Sequence, residues 1–179
     1  MEQIIPIKEA EEFVISMANK SREEVGTQEQ MKERHIVRRK FWTAYLKEIN
    51  KTTSLYQNVS PSKDHWISAG SGISGATFTS VGTGDYTRIE LSIHGKTQEE
   101  NKVIFDALVN QKESIETAFG NPLEWERLTD KRMSRIKFEL QGVSVFNEED
   151  WQKMFAFMGQ HVPKFEAAFK KPIQLLSRK

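Results

Sequence analysis

The sequence predicts an α+β fold: an antiparallel sheet of about five strands with helices packed on it, preceded by an N-terminal helical arm. Three observations predict this. Apolar residues recur at helical spacing before Asn50, between Thr97 and Phe119, and from Asn147 onward. Other segments, such as Tyr86–Ile93, alternate apolar and polar residues, which sends one row of side chains into a core and the next row to the opposite face. These alternating segments come as hairpins between helices, whereas a parallel sheet needs a crossover between each pair of strands.

Pro6–Glu24 reads as a first helix. Phe13, Val14, Met17 and Ala18 lie on one stripe, Glu9, Glu11 and Glu12 sit early where the helix dipole favours acids, and Gly26 is its stop. Thr27–Gln30 is a capping-box pattern that opens a second helix of about six turns. Met31, Val37, Phe41, Trp42, Tyr45, Leu46 and Ile49 share one face of it; Arg34, Arg38, Arg39, Lys40 and Lys47 share the other. Asn50–Lys63 is a loop rich in Asn, Ser and Thr, so residues 1–50 are expected as the arm and residues 64–172 as the α+β core.

From His65 the period changes to two. Gly70–Gly75 is a glycine-rich link, and Gly82–Asp85 joins the strands Ala76–Val81 and Tyr86–Ile93. Thr97–Glu100 is a second capping box, opening a helix with Val103, Ile104, Ala107, Leu108, Ile115, Ala118 and Phe119 on its stripe, which Gly120–Pro122 ends. Leu123–Leu140 reads as two strands joined by a turn that carries Lys131, Arg132 and Arg135, and a short Val143–Phe146 segment follows. Asn147 caps the last helix, with Trp151, Met154, Phe155, Met158, Val162, Phe165 and Phe169 on one stripe. Pro163 is expected to kink or split that helix and Pro172 to end it.

Composition excludes several chemistries. The chain has no cysteine, so disulfides, thiolate catalysis and Cys-based metal sites are ruled out; a reducing cytoplasm is the expected location. The first residues lack the basic start and apolar stretch of a signal peptide, and no run of about 18 apolar residues exists, so no membrane contact is expected. With 26 basic and 25 acidic residues, any attraction to nucleic acid has to come from a local patch.

Gly70-Ser-Gly-Ile-Ser-Gly75 matches G-x-G-x-x-G, but a strand follows it where a dinucleotide fold needs a helix. It reads better as a flexible turn or bulge that lets the chain change direction; a middle reading has its exposed backbone N–H groups, with Ser71 and Ser74, grip a phosphate. His35, His65, His94 and His161 form no metal-ligand spacing, and no cofactor is expected. Glu90 is followed by Leu91 and Ser92, not by the x-Lys that metal-dependent nucleases place after a strand carboxylate. No catalytic set is therefore assigned, with Glu90, His65 and Asp85 as the residues an enzyme reading would use. Trp42, Trp125 and Trp151 fall on apolar faces, and Trp66 alone is a candidate for base stacking. The basic run Lys131, Arg132, Arg135 and Lys137 is the best candidate for phosphate contacts; the competing expectation pairs it with Glu124, Glu126 and Glu139 across the hairpin.

Arg39-Lys-Phe-Trp42, His65–Gly70, Arg88-Ile-Glu-Leu91, Phe105–Leu108 with Gln111-Lys112, Leu123–Glu126 and Ser134-Arg-Ile136 together resemble one family, domain of unknown function 4268, over about residues 38–169. The resemblance implies a prokaryotic or phage context and a module that often sits behind a restriction-endonuclease-like domain. The expected function is a non-catalytic accessory module that binds nucleic acid through Lys131, Arg132, Arg135, Lys137, Ser71 and Ser74. The alternatives are an interaction or oligomerisation module docking through the aromatic stripe of Thr27–Ile49, and an enzyme of unassigned type.

Overall fold

The computed structural model describes residues 27–178. The helix expected over Pro6–Glu24 and its stop at Gly26 lie outside these residues. Helix α1 (Gln28–Ile49) opens with the capping box read from the sequence: Gln30 N–H donates to Thr27 Oγ1 at 3.3 Å, and Thr27 N–H donates to Gln30 Oε1 at 3.0 Å. Its stripe of Phe41, Trp42, Tyr45, Leu46 and Ile49 is buried in the core. The loop after it is anchored from within. Tyr56 is fully buried, and its hydroxyl, that of Ser80 and that of Tyr45 form a hydrogen-bonded chain with O–O distances of 2.8 and 2.9 Å. Burial drives both phenol pKa values upward, so the cluster stays neutral.

Strands β1 (Trp66–Gly70), β2 (Ala76–Gly82) and β3 (Tyr86–Ile93) form a meander. Helices α2 (Gln98–Val109) and α3 (Lys112–Phe119) stand where one helix was expected; the break falls at Asn110–Gln111. Gly120 ends α3 in the left-handed region at φ 93°, and its N–H donates to Glu116 O, as a glycine stop should. Within α2 the buried stripe also differs from the expected one. Val103 is 68% exposed, while Asn101 and Lys102 are buried.

Strands β4 (Glu124–Glu126) and β5 (Ser134–Gln141) complete one fully antiparallel sheet of order β1-β2-β3-β5-β4. Arg135 therefore lies within β5, two residues past Met133, and not in the connecting turn. Val143–Phe146 is not a strand. It is a strap: Gly142 and Val143 donate to Asp85 O, and Val145 donates to Thr83 O. Helix α4 (Glu148–Ser177) runs unbroken through Pro163 and Pro172. An interior proline costs about 3 kcal/mol. Here the helix is held against the sheet and α3 by buried Val162, Phe165, Phe169 and Ile173, which offset that loss.

The helices lie on one face of the sheet, over Phe78, Ile89, Leu91, Ile93, Ile136 and Phe138. The other face carries Trp66, Ser68, Thr79, Arg88, Glu90, Arg135, Lys137 and Glu139, by the alternation and the pairing register. No described helix is long and apolar enough to cross a membrane.

Candidate nucleic-acid interface

The second sheet face is charged, and its centre is nearly dry. Arg88 is 9% and Glu90 5% exposed. The register places Arg88 opposite Glu139 and Glu90 opposite Lys137. A ladder of alternating charge results. Arg88 Nε sits 2.7 Å from Glu90 Oε2, and Arg88 Nη1 donates to Glu139 Oε2 at 3.3 Å. Lys137 Nζ lies 3.1 Å from Glu126, 3.4 Å from Glu139 and 3.5 Å from Glu124; Arg135 Nε donates to Glu126 at 2.5 Å. Ser92 Oγ donates to Glu90 Oε1 at 2.7 Å, and the Arg88 guanidinium lies 5.0 Å from the Tyr86 ring centroid. The ladder holds four carboxylates against three cations. Two of the predicted contact residues, Arg135 and Lys137, are thus paired with acids across the hairpin.

The ladder sets a pH response. Burial alone would raise the Glu126 carboxyl, but Arg135 and Lys137 outweigh it and hold it below the usual range. Burial also opposes the N–H groups of Leu123 and Trp125 at Glu116, and again the net shift is downward. Carboxyls depressed in the folded state contribute stability that is complete above the unfolded value, about 4.3 for Glu, and is lost as pH falls through the folded value. Urea midpoints are expected to be flat from about pH 7 to 5 and to decline below about pH 4.3, less steeply in Glu126→Gln.

The remaining candidate residues meet at one end of the sheet, where β1 and β3 finish and β2 and β5 begin. Three loops converge there: Ser71–Gly75, His94–Lys96 and residues 127–133. His94 N–H donates to Gly75 O at 2.7 Å, and a Cβ on Gly75 would stand 2.8 Å from the Gly95 backbone, so that crossing requires glycine. Asn101 joins the second loop to the third: its Oδ1 accepts from Gly95 N–H at 2.7 Å, and its Nδ2 donates to Gly95 O at 3.3 Å and to Arg132 O at 3.0 Å. Ser74, His94 and Lys96 are exposed on this end, and Lys131 and Arg132 are half-exposed. The Ser71 hydroxyl is turned inward and donates to Ala76 O at 2.7 Å. Asp130, Glu99 and Glu100 are exposed on the same loops and the first turn of α2.

The loop of residues 127–133 is held by one polar stripe of α2. Gln98 donates to Thr129 O at 2.7 Å, and the Arg127 guanidinium grips Asp106 with bonds of 2.9 and 3.0 Å. Lys102 Nζ donates to the carbonyls of Arg127, Leu128 and Met133 at 2.6, 2.9 and 2.8 Å and to Ser134 Oγ at 2.9 Å. Residues 98, 101, 102 and 106 share one helix face. That spacing is present in the sequence but carries polar residues, so a search for apolar stripes passes over it.

The residues of an enzyme reading stay apart: Glu90 lies mid-strand, Asp85 is exposed in the β2–β3 turn, and His65 precedes β1. Trp66 is 36% exposed on the ladder face, with its ring 4.8 Å from that of His65. Among the described residues no group of three or more His, Asp or Glu is placed to hold a metal ion. No curated protein and no solved structure matches the chain. The sequence profile of a domain of unknown function, DUF4268, matches residues 37–173, and the chain belongs to that family.

Proposed function

We propose that this domain is a non-catalytic accessory module that grips the phosphate backbone of nucleic acid with one end of its sheet, in the service of a nuclease-type partner of the restriction or defence kind. The observation that carries this reading is the convergence of three loops that share no stretch of sequence. They present Ser74, His94, Lys96, Lys131 and Arg132 on one surface. Arg135 and Lys137 stand outside the grip, because reaching a phosphate would strip them from Glu124, Glu126 and Glu139. Neighbouring Asp130, Glu99 and Glu100 limit the field, so the grip is salt-sensitive and indifferent to base sequence.

Three phosphate contacts, by Lys96, Lys131 and Arg132, give a slope of log affinity on log salt of about −2.7 for duplex DNA, or roughly a fortyfold loss between 50 and 200 mM salt. Fluorescence anisotropy is expected to show that slope falling by about one for each of Lys96→Ala and Lys131→Ala, while Arg135→Gln leaves it unchanged. Absence of any binding at about 50 mM salt rejects the proposal. The alternative of an assembly module docking through α1 loses its motive, since the aromatic stripe of that helix is buried in its own core.

A further inference from the structure

The ammonium of Lys102 has an unusual environment. Lys102 is 7% exposed, and its Nζ is ringed by three main-chain carbonyls and one hydroxyl at 2.6–2.9 Å. All four oxygens come from residues 127–134, so one short loop wraps one cation. An ammonium has three N–H donors, and four acceptors at these distances use them fully. Neutral oxygens at such spacing form the shell a monovalent cation takes when it sheds its water. The loop also includes Leu128 at φ +52°, a left-handed conformation that a non-glycine residue keeps only when its surroundings enforce it. Its carbonyl is one of the four ligands, and the same carbonyl accepts from Lys131 N–H at 2.8 Å. The charge thus fixes the turn that presents Lys131.

We propose that Lys102 is a tethered structural cation: its ammonium occupies a monovalent-cation site built by residues 127–134, and by filling it Lys102 acts as the positioning residue for the nucleic-acid grip. Lys102 touches no ligand itself. Its removal empties a shell of oxygens that a free ammonium ion fits, whereas tetramethylammonium, of equal charge and with no N–H, does not. The coupling to binding rests on the function proposed above; the cation site does not.

The test uses the whole 179-residue chain carrying Lys102→Ala in about 100 mM ammonium chloride and in the same concentration of tetramethylammonium chloride, so that screening is equal. Hydrogen exchange at the Lys131 amide is read first. Loss of charge-assisted bonds is expected to lower its protection at least tenfold in tetramethylammonium, and ammonium is expected to restore it. If the variant does not fold in tetramethylammonium, recovery of the far-ultraviolet circular dichroism signal in ammonium takes the place of that readout. Equal protection in the two salts, or an unfolded chain in both, overturns the cation site. Anisotropy with a duplex oligonucleotide is read second. Affinity that falls and returns together with loop protection supports the positioning role; protection restored without affinity overturns that role. A wild-type chain that does not bind duplex sinks the proposed function, while the exchange experiment still decides the cation site.

Discussion

Arg88→Met is expected to destabilise the domain by about 3–5 kcal/mol, the cost of leaving buried charges without their partner. The arginine side chain is 11% exposed, and the carboxylates it holds, Glu90 and Glu139, are 6% and 9% exposed. Methionine keeps much of the stem and the packing on Tyr86, so the loss isolates the charge. Two carboxylates on diagonal positions of β3 and β5 are then left with little water to hydrate them. Lys137 partly compensates at Glu139, 3.4 Å from its Nζ, whereas Glu90 is left with the hydrogen bond from Ser92 Oγ. Adding Glu90→Gln and Glu139→Gln to Arg88→Met is expected to recover most of the deficit, because neutral amides do not repel. Urea denaturation of the three proteins decides the matter. A loss below about 1 kcal/mol in Arg88→Met would mean that the ladder is solvated in the native state like an ordinary surface set.

That result bears on function. A ladder with a buried centre and one more carboxylate than cation is expected to be a structural device, since it offers a polyanion no net attraction. Cations on a wet strand row are readily taken for a binding plate when the sequence is read alone. What ties up Arg135 and Lys137 is the pairing of β5 with β4, which sets Arg135 against Glu126 and Lys137 against Glu124 and Glu126. Those pairs lie within the hairpin Leu123–Leu140, where the sequence offers them as the competing expectation; only the Arg88–Glu139 pair waits for the β3–β5 register.

Local signals were legible where one element decides them. Tyr86–Ile93 is a strand to the residue, Thr27 and Thr97 cap their helices, and Gly120 stops α3. Signals that depend on packing were not. Pro163 and Pro172 stay helical because the sheet and α3 hold the residues around them. Val103 reads as core by spacing yet faces water, and Asn101 and Lys102 read as surface yet are buried, because their hydrogen-bonding partners lie about 30 residues onward in the chain. The candidate grip has the same origin: Ser74, Lys96 and Lys131 come together through strand order, which no window of sequence contains.

Phe165→Ala is expected to cost about 3–5 kcal/mol as well, by a different mechanism, the cavity left by a large ring in a core that cannot fully collapse. Phe165 is fully buried, and its ring centroid lies 6.1 Å from that of Phe78, 5.7 Å from Phe119 and 4.7 Å from Phe169. Those neighbours belong to β2, α3 and α4, so one side chain ties the sheet to two helices. The proline at position 163 makes the site less able to recover, because the turn just before it already lacks one backbone donor. A single contiguous core runs from Phe41 in α1 through the sheet to Ile173, so loss of the ring is expected to lower the urea midpoint of the whole domain in one transition with an unchanged slope. Two resolved transitions would instead show that the helix layer and the sheet fold as separate units, and the loops at the sheet end, pinned by α2, could then no longer be treated as one rigid surface.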